Sequence, residues 1–230
     1  MGQATAFISG ASKGIGLAIA RRFFAEGYRV GICARSQTGL DEAAAEMPGL
    51  QTYVCDMSDK AAVKALAVKI QADLGPLDVL VNNAGVFQPG EVHSEPDEAY
   101  ELMMRTNMDS AYYLTKGLIH PMMERQSGAI VNIASVASLK AYSHGGSYSI
   151  SKYAMLGFSK NLREEMKPHG IRVVSIMPGA VKTASWDGVD VPAERLMPPE
   201  DIAALVWTSV SLTSRSVVED IVVRPQLGDL

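Results

Sequence analysis

Two side chains that could move a proton stand one helical turn apart in this 230-residue sequence, Tyr148 and Lys152. At about 100° per residue, a separation of four leaves them offset by only about 40° on one helix face. A neighbouring ammonium stabilises a phenolate, so Lys152 is expected to lower the Tyr148 pKa from its ordinary value of about 10. A tyrosine tuned in this way can act as an acid or a base near neutral pH. Taken alone, Tyr-x-x-x-Lys fits a solvated helix equally well, and its weight comes from what surrounds it. A serine, Ser135, lies thirteen residues upstream, and a glycine-rich stretch stands near the amino terminus.

The elements that must position these residues follow from hydrophobic pattern. Ala4–Ser9, Arg29–Ala34, Gln51–Cys55, Val79–Asn82, Ala129–Ala134, Arg172–Met177 and Asp220–Val223 are short, rich in Val and Ile, and read as strands. Between them Gly14–Glu26, Thr38–Met47, Asp59–Leu74, Asp97–Arg125, Ser147–Lys167 and Pro199–Leu212 read as amphipathic helices. Several strand runs are continuously apolar, as in strands covered on both faces. The alternation predicts an α/β fold with a Rossmann-type, doubly wound parallel sheet, helices on both faces, and ligands at the carboxyl ends of the strands. No linker, repeat or low-complexity tract divides the chain, so residues 1–230 are expected to form a single dinucleotide-binding and catalytic domain.

The first strand ends in Ser9-Gly-Ala-Ser-Lys-Gly-Ile-Gly16, with a helix directly after it. Gly10, Gly14 and Gly16 would let the chain turn sharply and bring backbone N–H groups to a pyrophosphate at a helix amino terminus. The spacing, G-x-x-x-G-x-G, departs from the commoner G-x-G-x-x-G, and a purely structural turn is the competing reading. The second strand closes on Arg35-Ser36, where a site for NAD would place a carboxylate on the ribose 2′-hydroxyl. Arg35, with Lys13 and the Ser36 hydroxyl, suits a 2′-phosphate instead, which favours NADP(H).

Ser9-Gly-Ala-Ser-Lys-Gly-Ile-Gly16, Asn82-Asn-Ala-Gly85, Asn107, Ser135, Tyr148-Ser-Ile-Ser-Lys152 and Pro178-Gly179 stand in the order and spacing of the short-chain dehydrogenases/reductases, which the sequence closely resembles over essentially its whole length. The resemblance implies a catalytic set of Asn107, Ser135, Tyr148 and Lys152. Tyr148 would be the general acid, Ser135 would hydrogen-bond the carbonyl oxygen, and Lys152 would tune Tyr148 and hold the nicotinamide ribose. Asn107 would support a water chain to the lysine. Ser138 and Ser143 compete with Ser135 for the serine role, and spacing favours Ser135. Cofactor contacts are expected from Gly10, Ser12, Lys13, Gly14, Ile15 and Gly16, and from Arg35 and Ser36. Asp56 would meet the adenine amino group with Met57 backing the ring. Asn83, Ala84 and Gly85 would pass the adenosine ribose, and Pro178, Gly179, Val181 and Thr183 would reach the nicotinamide carboxamide and pyrophosphate.

Composition narrows the rest. A formal net charge of −4 argues against a nucleic-acid partner, and no run is long and apolar enough for a membrane span, which reads as cytoplasmic. Cys33 and Cys55 lack metal-type spacing, His93, His120 and His169 have no metal-type partners, and no metal is expected. His144 and Trp186 are candidates for the substrate pocket. The stretch from Thr183 to Pro198 is too short for a long lid, which suits a modest carbonyl compound. The carboxyl end departs from the glycine-rich ending of oxoacyl-carrier-protein reductases and resembles the sepiapterin and carbonyl reductase branch. These readings together give NADP(H)-dependent reduction of a small ketone or aldehyde, with 3-oxoacyl-(acyl carrier protein) reduction as the alternative. A non-catalytic NADP(H)-sensing protein is the alternative of another class. By analogy with the family, Ala154 and Gly157 on the Tyr148 helix point to a homodimer or homotetramer.

Overall fold

Seven parallel strands form one sheet in a computed structural model that describes residues 2–186 and 188–229. The strands are β1 (Thr5–Ser9), β2 (Arg29–Ala34), β3 (Gln51–Val54), β4 (Val79–Asn82), β5 (Gly128–Ile133), β6 (Ile171–Pro178) and β7 (Asp220–Val223). Their order across the sheet is β3-β2-β1-β4-β5-β6-β7. The helices are α1 (Gly14–Ala25), α2 (Gln37–Glu46), α3 (Lys60–Leu74), α4 (Asp97–Met104), α5 (Ser110–Leu118), α6 (His120–Arg125), α7 (Gly146–Met166) and α8 (Pro199–Ser211). Chain order reverses direction at β1 and β4, which places the ligand crevice over the carboxyl ends of those strands, where the glycine stretch emerges.

Alternate residues of the central strands feed two separate cores. Ala6 and Ile8 of β1, Val79 and Val81 of β4 and Val131 of β5 pack with Ile19 and Phe23 of α1 and Val206 of α8. Phe7, Leu80 and Ile130, the intervening residues, pack with Ile70 of α3, Leu114 of α5 and Leu162 of α7. Both faces are therefore apolar, which explains the continuous Val and Ile runs. Cys33 and Cys55 are buried thiols within the second core.

Strands and helices lie within a residue or two of their expected bounds, with one departure. The predicted helix over 97–125 is interrupted by a π-helical turn at Arg105–Asp109, and a second break near Ile119 precedes α6. The π turn carries Asn107, which is fully buried and drawn toward α7. Inserted turns of this kind gather at functional sites because they redirect side chains without ending the helix.

Candidate active site

The glycine stretch is shaped for close backbone approach. Gly10 has φ +64°, and a Cβ there would stand 2.7 Å from the Ala84 Cα. A Cβ on Gly16 would meet the Gly10 carbonyl oxygen at 2.6 Å. Asn83 ties the turn in place, its Nδ2 donating to the carbonyls of Ser9 and Gly10, each at 2.9 Å. Lys13 begins α1 without a side-chain cap, and no acid occupies the first turn. The amino end of α1 thus keeps free N–H donors and an uncompensated positive dipole, which fits a phosphate group. Thr183 packs its methyl against this loop, 3.2 Å from where a Gly14 Cβ would lie.

Beyond β2, Lys13 and Arg35 are exposed and form no ion pair among the described residues. Ser36 caps α2, accepting from the Gly39 N–H at 3.4 Å, and keeps its own proton to donate. Gly39 sits against Ser12, a Cβ there standing 3.0 Å from the Ser12 Cβ, so the β2 end and the glycine loop share one wall. Asp56 is exposed after β3, and its Oδ1 accepts from the Ser58 N–H and hydroxyl at 2.9 and 2.8 Å. These hydrogen bonds hold its pKa below the ordinary carboxylate value. Met57 departs from expectation. Its side chain turns inward against Cys33, 3.6 Å between sulfurs, and leaves only backbone to face a ring. It does so because, three residues past the end of β3, the side chain fills the second core.

At the other end of the cleft, α7 starts beside the ends of β5 and β6. A cleft of about 150 Å³ is lined by Ile15, Gly85, Ser135, Tyr148, Lys152 and Gly179. It adjoins a cavity of about 460 Å³, with which it shares Phe87, Ser135, Tyr148, Gly179 and Ser185. Pro178 and Val181 complete the wall of the smaller cleft. Val181 is held by a short bridge to Met197.

The serine alternatives separate cleanly by position. Ser135 Oγ accepts from the Ala137 N–H at 3.1 Å, which leaves its proton free to donate into the cavity. Ser138 is closed off, donating to the Lys152 carbonyl at 2.8 Å, and Ser143 faces an outer groove.

Lys152 is 5% exposed, and its Nζ donates to the Ile133 carbonyl at 3.0 Å. Burial lowers its pKa to about 8. The expectation that Lys152 lowers the Tyr148 pKa is not met in the free protein. Burial raises the Tyr148 pKa, and the opposing influence is the Ser135 hydroxyl. The Lys152 Nζ stands 5.7 Å from the Tyr148 ring centroid and is turned to Ile133, so helix spacing alone overstated their contact.

Asn107 uses its side chain fully. Its Oδ1 accepts from the Val86 N–H at 2.7 Å, and its Nδ2 donates to the Val86 carbonyl at 3.0 Å and to Ser151 Oγ at 2.9 Å. Ser151 in turn donates to the Tyr148 carbonyl at 2.7 Å. A Gly85 Cβ would lie 3.3 Å from Asn107 Oδ1 and 3.6 Å from Lys152 Nζ, which fixes how closely these groups gather.

Trp186 lines the larger cavity, and His144 does not. His144 adopts φ +61°, its ring is 70% exposed, and its Nδ1 lies 3.8 Å from Glu91 in the outer groove. The left-handed turn before Gly145 swings the ring away from Tyr148, a reversal that residue order does not reveal. Phe87, Ser185, Arg224 and Asp229 also line the cavities and were not foreseen. The Phe87 ring meets the Tyr148 ring edge to face at 4.9 Å, and Arg224 pairs with Asp229 across the cavity wall. Only the position of Phe87, two residues past the Asn-Asn-Ala-Gly turn, was a usable signal.

A glycine-rich turn at the switch point of a parallel sheet, facing a Ser, Tyr and Lys cluster, defines a class of dinucleotide-type oxidoreductase fold. The sequence profile of the short chain dehydrogenases matches residues 4–191, and the chain belongs to the short-chain dehydrogenase/reductase family. It is 37% identical to the sepiapterin reductase of Chlorobaculum tepidum, over 97% of this chain and 96% of that one. It is 32% identical to the 3-oxoacyl-[acyl-carrier-protein] reductase of Haemophilus influenzae, over 87% of this chain and 88% of that one. A variant of actinorhodin polyketide ketoreductase crystallised with NADPH superposes with a TM-score of 0.90 at 31% identity, covering 99% of this chain and 98% of that one. No helix among the described residues is long and apolar enough to cross a membrane.

Proposed function

We propose that this oxidoreductase reduces a ketone or aldehyde of a small molecule to an alcohol, using NADP(H), with Tyr148 as proton donor. The observation that carries this reading is the convergence of the Ser135 and Tyr148 side chains on one cavity beside buried Lys152. The uncapped amino end of α1 would hold the pyrophosphate, and exposed Arg35 and Lys13 would hold the 2′-phosphate. The cofactor supplies hydride when bound. Ser135 would hydrogen-bond the carbonyl oxygen and orient it without giving up its proton, and Tyr148 would transfer the single proton that oxygen needs as charge develops there. Burial raises the Tyr148 pKa, so the phenol carries the proton that it would donate. Lys152 would hold the ribose hydroxyls.

Relatives named as sepiapterin reductase and as ketoacyl reductases favour a carbonyl substrate over other oxidoreductase chemistry. The larger cavity, walled by Phe87, Tyr142, Trp186 and Val189, suits a compact apolar body better than a long chain. Exposed Tyr112 on α5 and Ile150 and Tyr153 on α7 support pairing of subunits through these helices, which light scattering would test.

The test is loss of reduced-nicotinamide absorbance with NADPH or NADH and a panel of diketones, aldehydes, pterins and 3-oxoacyl thioesters. Turnover with one group, lost by about 10²-fold or more in Tyr148→Phe with NADPH binding kept, supports the reading. NADPH binding without turnover of any compound would favour a sensing role instead. Preference for 3-oxoacyl thioesters would move the assignment to the oxoacyl branch.

A further inference from the structure

We propose that Glu95 is a positioning residue for Tyr148, acting through the start of the catalytic helix. The inference rests on the reading of Tyr148 as proton donor. Helix α7 begins without a cap of its own. Gly145 at its N-cap has no side chain to offer, and the first turn contains no acid. The missing acceptor comes from a residue fifty-two positions earlier in the chain, because the Ser147 N–H donates to Glu95 Oε1 at 3.1 Å and to Oε2 at 3.3 Å. The Ser147 hydroxyl donates to Glu95 Oε1 as well. A carboxylate here satisfies an orphan backbone donor and faces the positive end of the helix dipole, one residue before Tyr148.

Glu95 also ends a segment that runs from Val86 across the face of Tyr148. At one end Asn107 grips both backbone groups of Val86, at 2.7 and 3.0 Å. Phe87, the next residue, sets its ring edge to face with Tyr148 at 4.9 Å. In the middle, the Gly90 N–H donates to the His144 carbonyl at 3.0 Å, and Gly90 bridges to Gly145. At the far end, Glu95 holds Ser147. The approach is too close for a side chain on Gly146, whose Cβ would lie 2.6 Å from the Gly90 carbonyl oxygen and 2.7 Å from Glu95 Oε2. The segment is therefore a strap fixed at both ends, with the Tyr148 ring between the fixed points. Release of the Glu95 end loosens the first turn of α7, on which Tyr148 stands, while Gly90 and Val86 still hold the Phe87 end.

The experiment compares Glu95→Ala, Glu95→Gln and Ser147→Ala with wild type and Tyr148→Phe, reading kcat, KM for NADPH and for the carbonyl, and NADPH Kd by fluorescence. Small displacements of a proton donor cost far more in rate than in binding, so Glu95→Ala should lose about 10-fold or more in kcat with NADPH Kd within about twofold. Glu95→Gln, whose amide oxygen still accepts from Ser147, should recover most of the loss. Ser147→Ala, which removes one donor and keeps the N–H, should fall between, and it tests the contact even where Glu95→Ala folds poorly. Unchanged kcat in Glu95→Ala and Ser147→Ala, with Tyr148→Phe inactive, overturns the proposal. Parallel loss of kcat and NADPH affinity in all three variants overturns it too, because general loosening then accounts for the effect. An active Tyr148→Phe strikes instead at the proton-donor reading.

Discussion

The two ends of the cleft are built from opposite materials. At the β2 and β3 end, Lys13, Arg35 and Asp56 are exposed and stand on loops. At the β5 and α7 end, Asn107, Ser135 and Lys152 are buried, and each is hydrogen-bonded to protein. A phosphate can be gripped by flexible cationic arms reaching in from solvent, because the attraction is long-ranged and tolerant of angle. Proton transfer tolerates no such slack, and the buried end spends more residues on holding than on reacting. Substitution should therefore act differently at the two ends, through kcat at one and through cofactor affinity at the other.

Lys152 sharpens the contrast most. Lys152→Met should lower kcat by about 10²-fold or more, as loss of a group supporting proton transfer does. The same substitution should alter stability in a pH-dependent way. The pKa of Lys152 is about 8 in the folded protein against an ordinary 10.5, so the unfolded chain binds the additional proton between those values. Wild-type stability then rises with pH across that window, as the buried charge is relieved, and below about pH 8 the full burial penalty is present. Lys152→Met lacks this slope. Urea unfolding at pH 7.5 and pH 10 should show wild type gaining on the variant by on the order of 1–3 kcal/mol. Equal changes in both proteins would mean that Lys152 is not desolvated as its surroundings imply.

The same contrast governs what could be read from residues alone. The sheet was legible because strands covered on both faces must be runs of Val and Ile, as in Val79–Val81 and Ile130–Val131. The open end was legible because its chemistry lies in residue type, a cation at Arg35 where a carboxylate could have stood. At the closed end, type and spacing located Ser135 and Tyr148, but orientation stayed hidden. Nothing about a four-residue interval says that the Lys152 Nζ turns to Ile133, or that His144 swings outward on a left-handed turn. The π turn at Arg105–Asp109 has no local signature, and Arg224 and Asp229 reach the cavity only because the chain leaves the carboxyl end of β7 beside it.

Arg35 tests the open end. Arg35→Asp removes a charge-assisted contact worth about 1.5–3 kcal/mol and adds repulsion, so NADPH Kd should rise by about 10- to 100-fold. NADH affinity and kcat at saturating cofactor should change by no more than about twofold, because the buried end is untouched. The wild-type preference for NADPH should also weaken with added salt. A kcat loss comparable to the affinity loss would mean that the two ends are mechanically coupled, and the comparison would fail.

The smallest effects are expected at the substrate wall, where Trp186 and His144 provide an internal control. Trp186 lines the cavity that holds Ser135 and Tyr148, whereas His144 lines the outer groove with Glu91. Truncating an aromatic wall removes apolar contact with substrate but leaves the reacting groups in place. Trp186→Ala should therefore raise carbonyl KM by about 3- to 10-fold with little change in kcat, consistent with ~1 kcal/mol of lost burial. His144→Ala should leave both constants within about twofold, since its ring is 70% exposed and its Nδ1 lies beside Glu91 in the outer groove. Steady-state kinetics on the preferred carbonyl would separate the two. A larger KM change in His144→Ala than in Trp186→Ala would mean that substrate enters by the outer groove, and the wall would have to be redrawn around the turn at Gly145.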